Sequence, residues 1–170
     1  RDLFILKEVG SIRRSLKKTS QKTIEAGLLG NFGISCVIPK EYEIIKNENS
    51  LFWATYNPKE SDEIKKILIF SFVPQKTNLQ NEVLIKTDSI FNQYLRGSKD
   101  GSFVKIEQQY SPYYFNNFYR GLWRMHNGFM GGPFLIKTYL FKDKIVVNAG
   151  LVFAPQKPKR GYIKEFEAIL

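Results

Sequence analysis

The sequence predicts an α+β fold, a mainly antiparallel sheet flanked by helices in an α/β/α sandwich. Three observations predict it. The chain opens and closes on segments whose apolar residues recur at helical spacing. Between them, short runs rich in β-branched and aromatic residues follow one another across turns too short for helical crossovers. One of those runs, 66–73, is apolar on both of its alternating faces, as a strand covered on both sides must be.

Residues 2–28 read as one amphipathic helix, with Ile5, Val9, Ile12 and Leu16 on its apolar stripe and Gly27 and Gly30 at its end. Arg13, Arg14, Lys17, Lys18 and Lys22 fall largely on other faces. A solvated basic side is the favoured reading of them, ahead of a nucleic-acid or membrane surface. Strands are expected at 32–38, stopped by Pro39, and at 42–46 and 51–56 around a polar Asn-Glu-Asn-Ser turn. The central strand 66–73 ends at Pro74. Leu84, Ile85, Asp88, Phe91 and Leu95 define a second helix over 81–95, stopped by Gly97 and Gly101. A strand over 103–110 places Val104, Ile106 and Tyr110 on one face. Residues 111–115 read as an aromatic-rich loop and 118–126 as a strand. Segments 134–141 and 144–153 form a hairpin through Asp143. After Pro155 and Pro158, Tyr162, Phe166, Ile169 and Leu170 stripe a last helix.

A length of 170 residues suits one domain. The net charge of +10 implies attraction to anions, whether nucleic acid, acidic lipid head groups or acidic glycans, without choosing among them. No run approaches the ~20 apolar residues that cross a bilayer. Arg1 is not an initiator methionine and the sequence shows no charged-apolar-small signal-peptide pattern, so the chain is expected to begin inside something longer. Cys36, alone among apolar neighbours, is expected to be a buried, inert thiol.

Catalytic signatures do not emerge. The chain has no GxSxG, GxGxxG, Walker A or HExxH string, and its single histidine is His126. A Cys36–His126 pair has no motif behind it, and Glu165 and Glu167, two apart on a helix, point in different directions. No catalytic residue, metal or cofactor is therefore assigned, and the reading leans away from an enzyme.

The run 120–133 is where a site is expected. On a strand, Arg120, Leu122, Arg124 and His126 share one face, and Tyr119, Trp123 and Met125 the other. Such an arginine row beside Trp123 could hold a carboxylate, phosphate or sugar ring. The blander and favoured alternative is cross-strand pairing with acids such as Glu107. Gly131 and Gly132 could expose amides to an anion, although a bulge or tight strand entry is commoner. Lys159 and Arg160 stand near a helix N-terminus, where positive charge is disfavoured by ~0.3–1 kcal/mol. These two cations and the Gly-Gly turn are expected to form one anion-attracting corner.

The strings RGLW, FMGGPF, GLVFAP and KRGYIKEFEAIL, spread over the last fifty residues, resemble the C-terminal signature of a family of bacterial cell-envelope lipoproteins of unknown function. The earlier Phe32-Gly33, Ile38-Pro39, Tyr42 and Phe52-Trp53 are compatible with it. The resemblance implies a lipid anchor on a preceding region, a location at the cell envelope on the periplasmic side, and no assigned reaction. Two positions depart from the family pattern: Gly128 stands where an acidic residue is usual, and Lys164 where arginine is usual. By analogy, the order of elements is similar to the PsbP-type sandwich. The leading expectation is a non-catalytic module recognising another envelope protein or an anionic envelope component. The rivals are an enzyme on an anionic envelope substrate using Arg120, Arg124 and His126, and a nucleic-acid or anionic-lipid binder. Nucleic acid is disfavoured because no RNA-module motif is present. The oligomeric state is left open. An exposed aromatic patch near Tyr113–Phe115 would mark protein recognition.

Overall fold

A computed structural model describes residues 2–75 and 77–170. Its elements are α1 (Asp2–Lys18), α2 (Lys22–Phe32), β1 (Glu43–Asn47), β2 (Leu51–Tyr56), β3 (Ile64–Phe72), α3 (Leu79–Tyr94), β4 (Phe103–Ile106), β5 (Tyr113–Phe115), β6 (Phe118–His126), β7 (Gly131–Phe141), β8 (Lys144–Phe153) and α4 (Arg160–Ile169). The strands make one antiparallel sheet in the order β1-β2-β3-β8-β7-β6-β4, with β5 also on β6. The fold is α+β, as the sequence predicts.

The double apolar face of β3 explains the layering. Ile67 and Ile69 join Leu28 and Phe32 of α2 and Phe166 and Ile169 of α4 in one core layer. Leu68 and Phe70 join Val83 and Phe91 of α3 in the other. Helices therefore cover both sides of the sheet. The β7–β8 turn carries Lys142 and Asp143 at φ 50° and 60°, the left-handed pair of a two-residue hairpin.

Four expectations about local structure change. The segment 2–28 is not one helix. It breaks at Thr19–Gln21, where the Gln21 N–H bonds Ile38 O (2.9 Å) and its amide bonds the carbonyls of Pro39 (3.0 Å) and Tyr42 (2.8 Å). Gly27 and Gly30 lie inside α2, and Gly33, at φ 67° with its N–H on Leu29 O, ends it. The stretch 34–38 is buried except at Ser35 and is not a strand. Its amides go to helices, Val37 to Ile169 O (3.1 Å) and Ile38 to the Glu25 carboxylate (2.9 Å). β4 stops at Ile106, whose N–H is taken by Asp88 (2.6 Å), so α3 closes that edge and Tyr110 is left outside. Finally, part of the expected aromatic loop is the strand β5. Asn116 and Asn117 adopt φ 50° and 63° and turn it back onto β6.

α1 buries no residue of its own and is held on α4. Lys164 pairs with Glu8, and the Arg13 guanidinium donates to the carbonyls of Ala168, Ile169 and Ser35. A cation at the C-terminus of α4 complements the helix dipole, so one of the clustered basic residues is structural. Arg14, Lys17 and Lys18 remain exposed.

Cys36 is 2% exposed, and burial pushes its thiol up to about 12. Since the thiolate is the reactive form, a thiol reagent at pH 8 is expected to leave the native protein unlabelled and to label it fully in denaturant. Labelling of the native protein at the rate of the unfolded chain would contradict this burial.

Candidate functional site

Strand β6 has the predicted alternation. Tyr119, Trp123 and Met125 are buried on the α3 side, while Arg120, Leu122, Arg124 and His126 share the opposite face. α4 reaches that opposite face at Arg120, whose Nη2 lies 2.6 Å from Glu167 Oε1. Further along the face opens to solvent: Leu122 is 38% exposed and the Arg124 side chain 44%. Arg124 Nε is paired with Glu107 at 3.0 Å, the cross-strand partner that the sequence suggested. The His126 ring stacks on Phe103 of β4 at 4.8 Å. Glu165 and Glu167 serve different cations, Lys65 and Arg120 respectively.

β5 extends this open half-face. Tyr113 is registered with Arg120 and Phe115 with Phe118, so both lie on the arginine side, 59% and 57% exposed. Tyr110, in the loop that precedes β5, is 60% exposed. The Arg120 guanidinium lies 5.6 Å from the Phe118 ring, and Lys137 lies 5.5 Å from the same ring. The result is an aromatic shelf whose arginines are already fixed by carboxylates.

The other expected site residues sit elsewhere. Gly131 and Gly132 belong to β7 and pair with Arg124 and Trp123. They are a tight strand entry, not an exposed cradle: a Cβ on Gly132 would lie 2.0 Å from Val152 O. Trp123 donates its Nε1–H to that same carbonyl at 3.2 Å. Lys159 turns its ammonium inward to the carbonyls of Ala154 and Lys157. Lys159 and Gly132 thus approach the same end of β8, Gly132 against the Val152 carbonyl of the strand and Lys159 on carbonyls of the loop that follows it. Arg160 is exposed, with no ion pair among the described residues.

On the opposite side of β6, a cleft of about 780 Å³ opens between the α3–β4 loop and the β6–β7 turn. Met125, Phe129 and Met130 give it an apolar lining, with Lys99, Asp100 and Asn127 among its polar groups. In the sequence the 127–130 turn belongs to the run of interest, whereas Gly97 and Gly101 are legible there only as helix stops. Among the described residues no group of His, Cys, Asp or Glu could hold a metal ion.

No curated protein matches the chain. The profile of a domain of unknown function, DUF4837, matches residues 20–170, which include α2, α3, α4 and every strand and leave out α1. The chain belongs to this DUF4837 family.

Proposed function

We propose that the protein is a non-catalytic recognition module of a lipid-anchored envelope protein, and that it docks another envelope protein on the open half-face of β5 and β6. The observation that supports this most is the exposure of Tyr113 and Phe115 beside Leu122 and the ion-paired Arg120 and Arg124. Aromatic and arginine side chains dominate the energetic centres of protein interfaces. Arginines held beforehand by Glu167 and Glu107 lose less freedom on binding than free ones do. The resemblance of the last fifty residues to envelope lipoproteins supports the location and the anchor. An enzymatic role for Arg120, Arg124 and His126 has less support, because carboxylates and a phenylalanine ring already occupy all three.

Tyr113→Ala with Phe115→Ala is expected to leave the fold unchanged, since both rings are exposed, and to weaken binding of a partner recovered from envelope extract by about 30-fold or more. The measurement is affinity for the purified partner, with wild type and variant side by side. Equal affinity of the two proteins, or recovery of no partner by the full-length protein, would overturn the reading. Fractionation of the full-length protein tests the envelope location separately.

A further inference from the structure

The cleft on the α3 side of β6 is distinct from the aromatic shelf and has a shape of its own. Phe129 stands at its rim, 90% exposed, with its ring edge-on to Phe153 at 6.2 Å. Beside this knob, Met125 and Met130 line a hollow. Two glycines let the backbone of its walls pack closely against Ser102 and Met125. A Cβ on Gly97 would lie 2.3 Å from Ser102 Oγ and 3.2 Å from Met125 Sδ, and one on Gly128 would lie 2.5 Å from Met125 Cγ. Methionine adapts its shape to an incoming ring and makes favourable sulfur–aromatic contacts.

The charge of this patch is also unusual for the chain. The protein carries a net charge of +10, yet the cleft lining contains one lysine and one acid, the adjacent Lys99 and Asp100. Neither makes an ion pair among the described residues. Two such positively charged chains repel one another at long range. A locally neutral, apolar surface is where they can meet at least electrostatic expense.

We propose that this cleft is the interface of a two-fold symmetric homodimer, in which Phe129 of each copy enters the methionine-lined hollow of the other and Lys99 faces Asp100 across the axis. A knob and a hollow side by side on one surface are self-complementary under a two-fold rotation, so the contact closes at two copies. The Lys99–Asp100 neighbours become complementary under the same rotation. A foreign acidic or basic partner would gain nothing from a patch without net charge. The inference does not rest on the docking face of β5 and β6.

Sedimentation equilibrium of the 170-residue chain, over roughly 1–500 μM, tests it at low and high salt. A concentration-dependent dimer is expected, tighter at higher ionic strength, because salt screens the repulsion between the two cationic chains and leaves the apolar contact intact. Phe129→Ala is expected to weaken the dimer about 30-fold or more while the circular dichroism spectrum stays that of wild type. Asp100→Lys should weaken it as well, and the exchange Lys99→Asp with Asp100→Lys should restore it. Tyr113→Ala with Phe115→Ala should leave it unaltered, which separates this interface from the docking face. A wild-type monomer at every concentration and salt would overturn the proposal. So would a dimer indifferent to Phe129→Ala, or one not restored by the charge exchange.

Discussion

Gly132→Ala is expected to destabilise the protein by roughly 2–4 kcal/mol and to lower its Tm by about 10 °C. The added Cβ would lie 2.0 Å from Val152 O and 3.2 Å from Val152 C, both backbone atoms of the neighbouring strand. A side chain could rotate away from such a contact, but a strand paired on both edges cannot. β7 and β8 must therefore separate, and the hydrogen bond from Trp123 Nε1 to the same carbonyl, 3.2 Å long, is disturbed too. Overpacking contributes about 1–3 kcal/mol and the disturbed hydrogen bond about 1 kcal/mol. Gly161→Ala is the control: a Cβ there meets nothing within 4 Å, and the change should stabilise by about 0.4–1 kcal/mol. Thermal and urea unfolding followed by circular dichroism give both values. A Gly132→Ala protein as stable as wild type would refute the close approach and return this glycine to consideration as part of an anion site.

The features that were legible in the sequence are those set by period and local turn chemistry. The two apolar faces of β3, the parity of Arg120, Leu122, Arg124 and His126 on β6, and the hairpin at Lys142-Asp143 all depend on residues near one another in the chain. What was not legible depends on distant partners. The helix break at Thr19–Gln21 exists because Ile38, Pro39 and Tyr42 supply carbonyls to Gln21. The apolar run 34–38 looks like a strand by composition, yet its amides are taken by Glu25 and Ile169. Glu167, 47 residues beyond Arg120, carries no local sign that it will hold that arginine. The unfavourable position of Lys159 at the start of α4 suggested an acidic partner, whereas its ammonium satisfies two loop carbonyls instead. The cleft needs two loops that only the fold brings together, and the glycines packed against its lining read in sequence as punctuation.

Lys65→Met is expected to cost about 3–5 kcal/mol at pH 7, the usual consequence of breaking a buried ion pair from one side. Lys65 is 6% exposed, with its ammonium 2.7 Å from Glu165 and 3.7 Å from Glu63, and 4.5 Å from the Tyr56 ring. Its removal leaves the Glu165 carboxylate, at 21% exposure, with no other cation among the described residues. Glu63 keeps the Tyr162 hydroxyl at 2.8 Å and Lys157 at 3.1 Å. Replacing both members, Lys65→Met with Glu165→Leu, should recover much of the loss, because an apolar pair of similar size needs no compensation. The pH dependence identifies the cause. Burial alone would raise the Glu63 carboxyl, but hydrogen bonds from Tyr162 and Lys157 and the charge of Lys65 outweigh it and hold it below the usual carboxylate value. Its contribution is therefore complete above the unfolded value near 4.3 and disappears as the pH falls through the lower folded value. Without Lys65 the Glu63 carboxyl is held down less, so this part of the difference from wild type should shrink in urea titrations as the pH falls below about 4.3. A difference that stays constant over that range would mean that Lys65 stabilises the junction of β3 and α4 by packing its methylene chain, not by its charge.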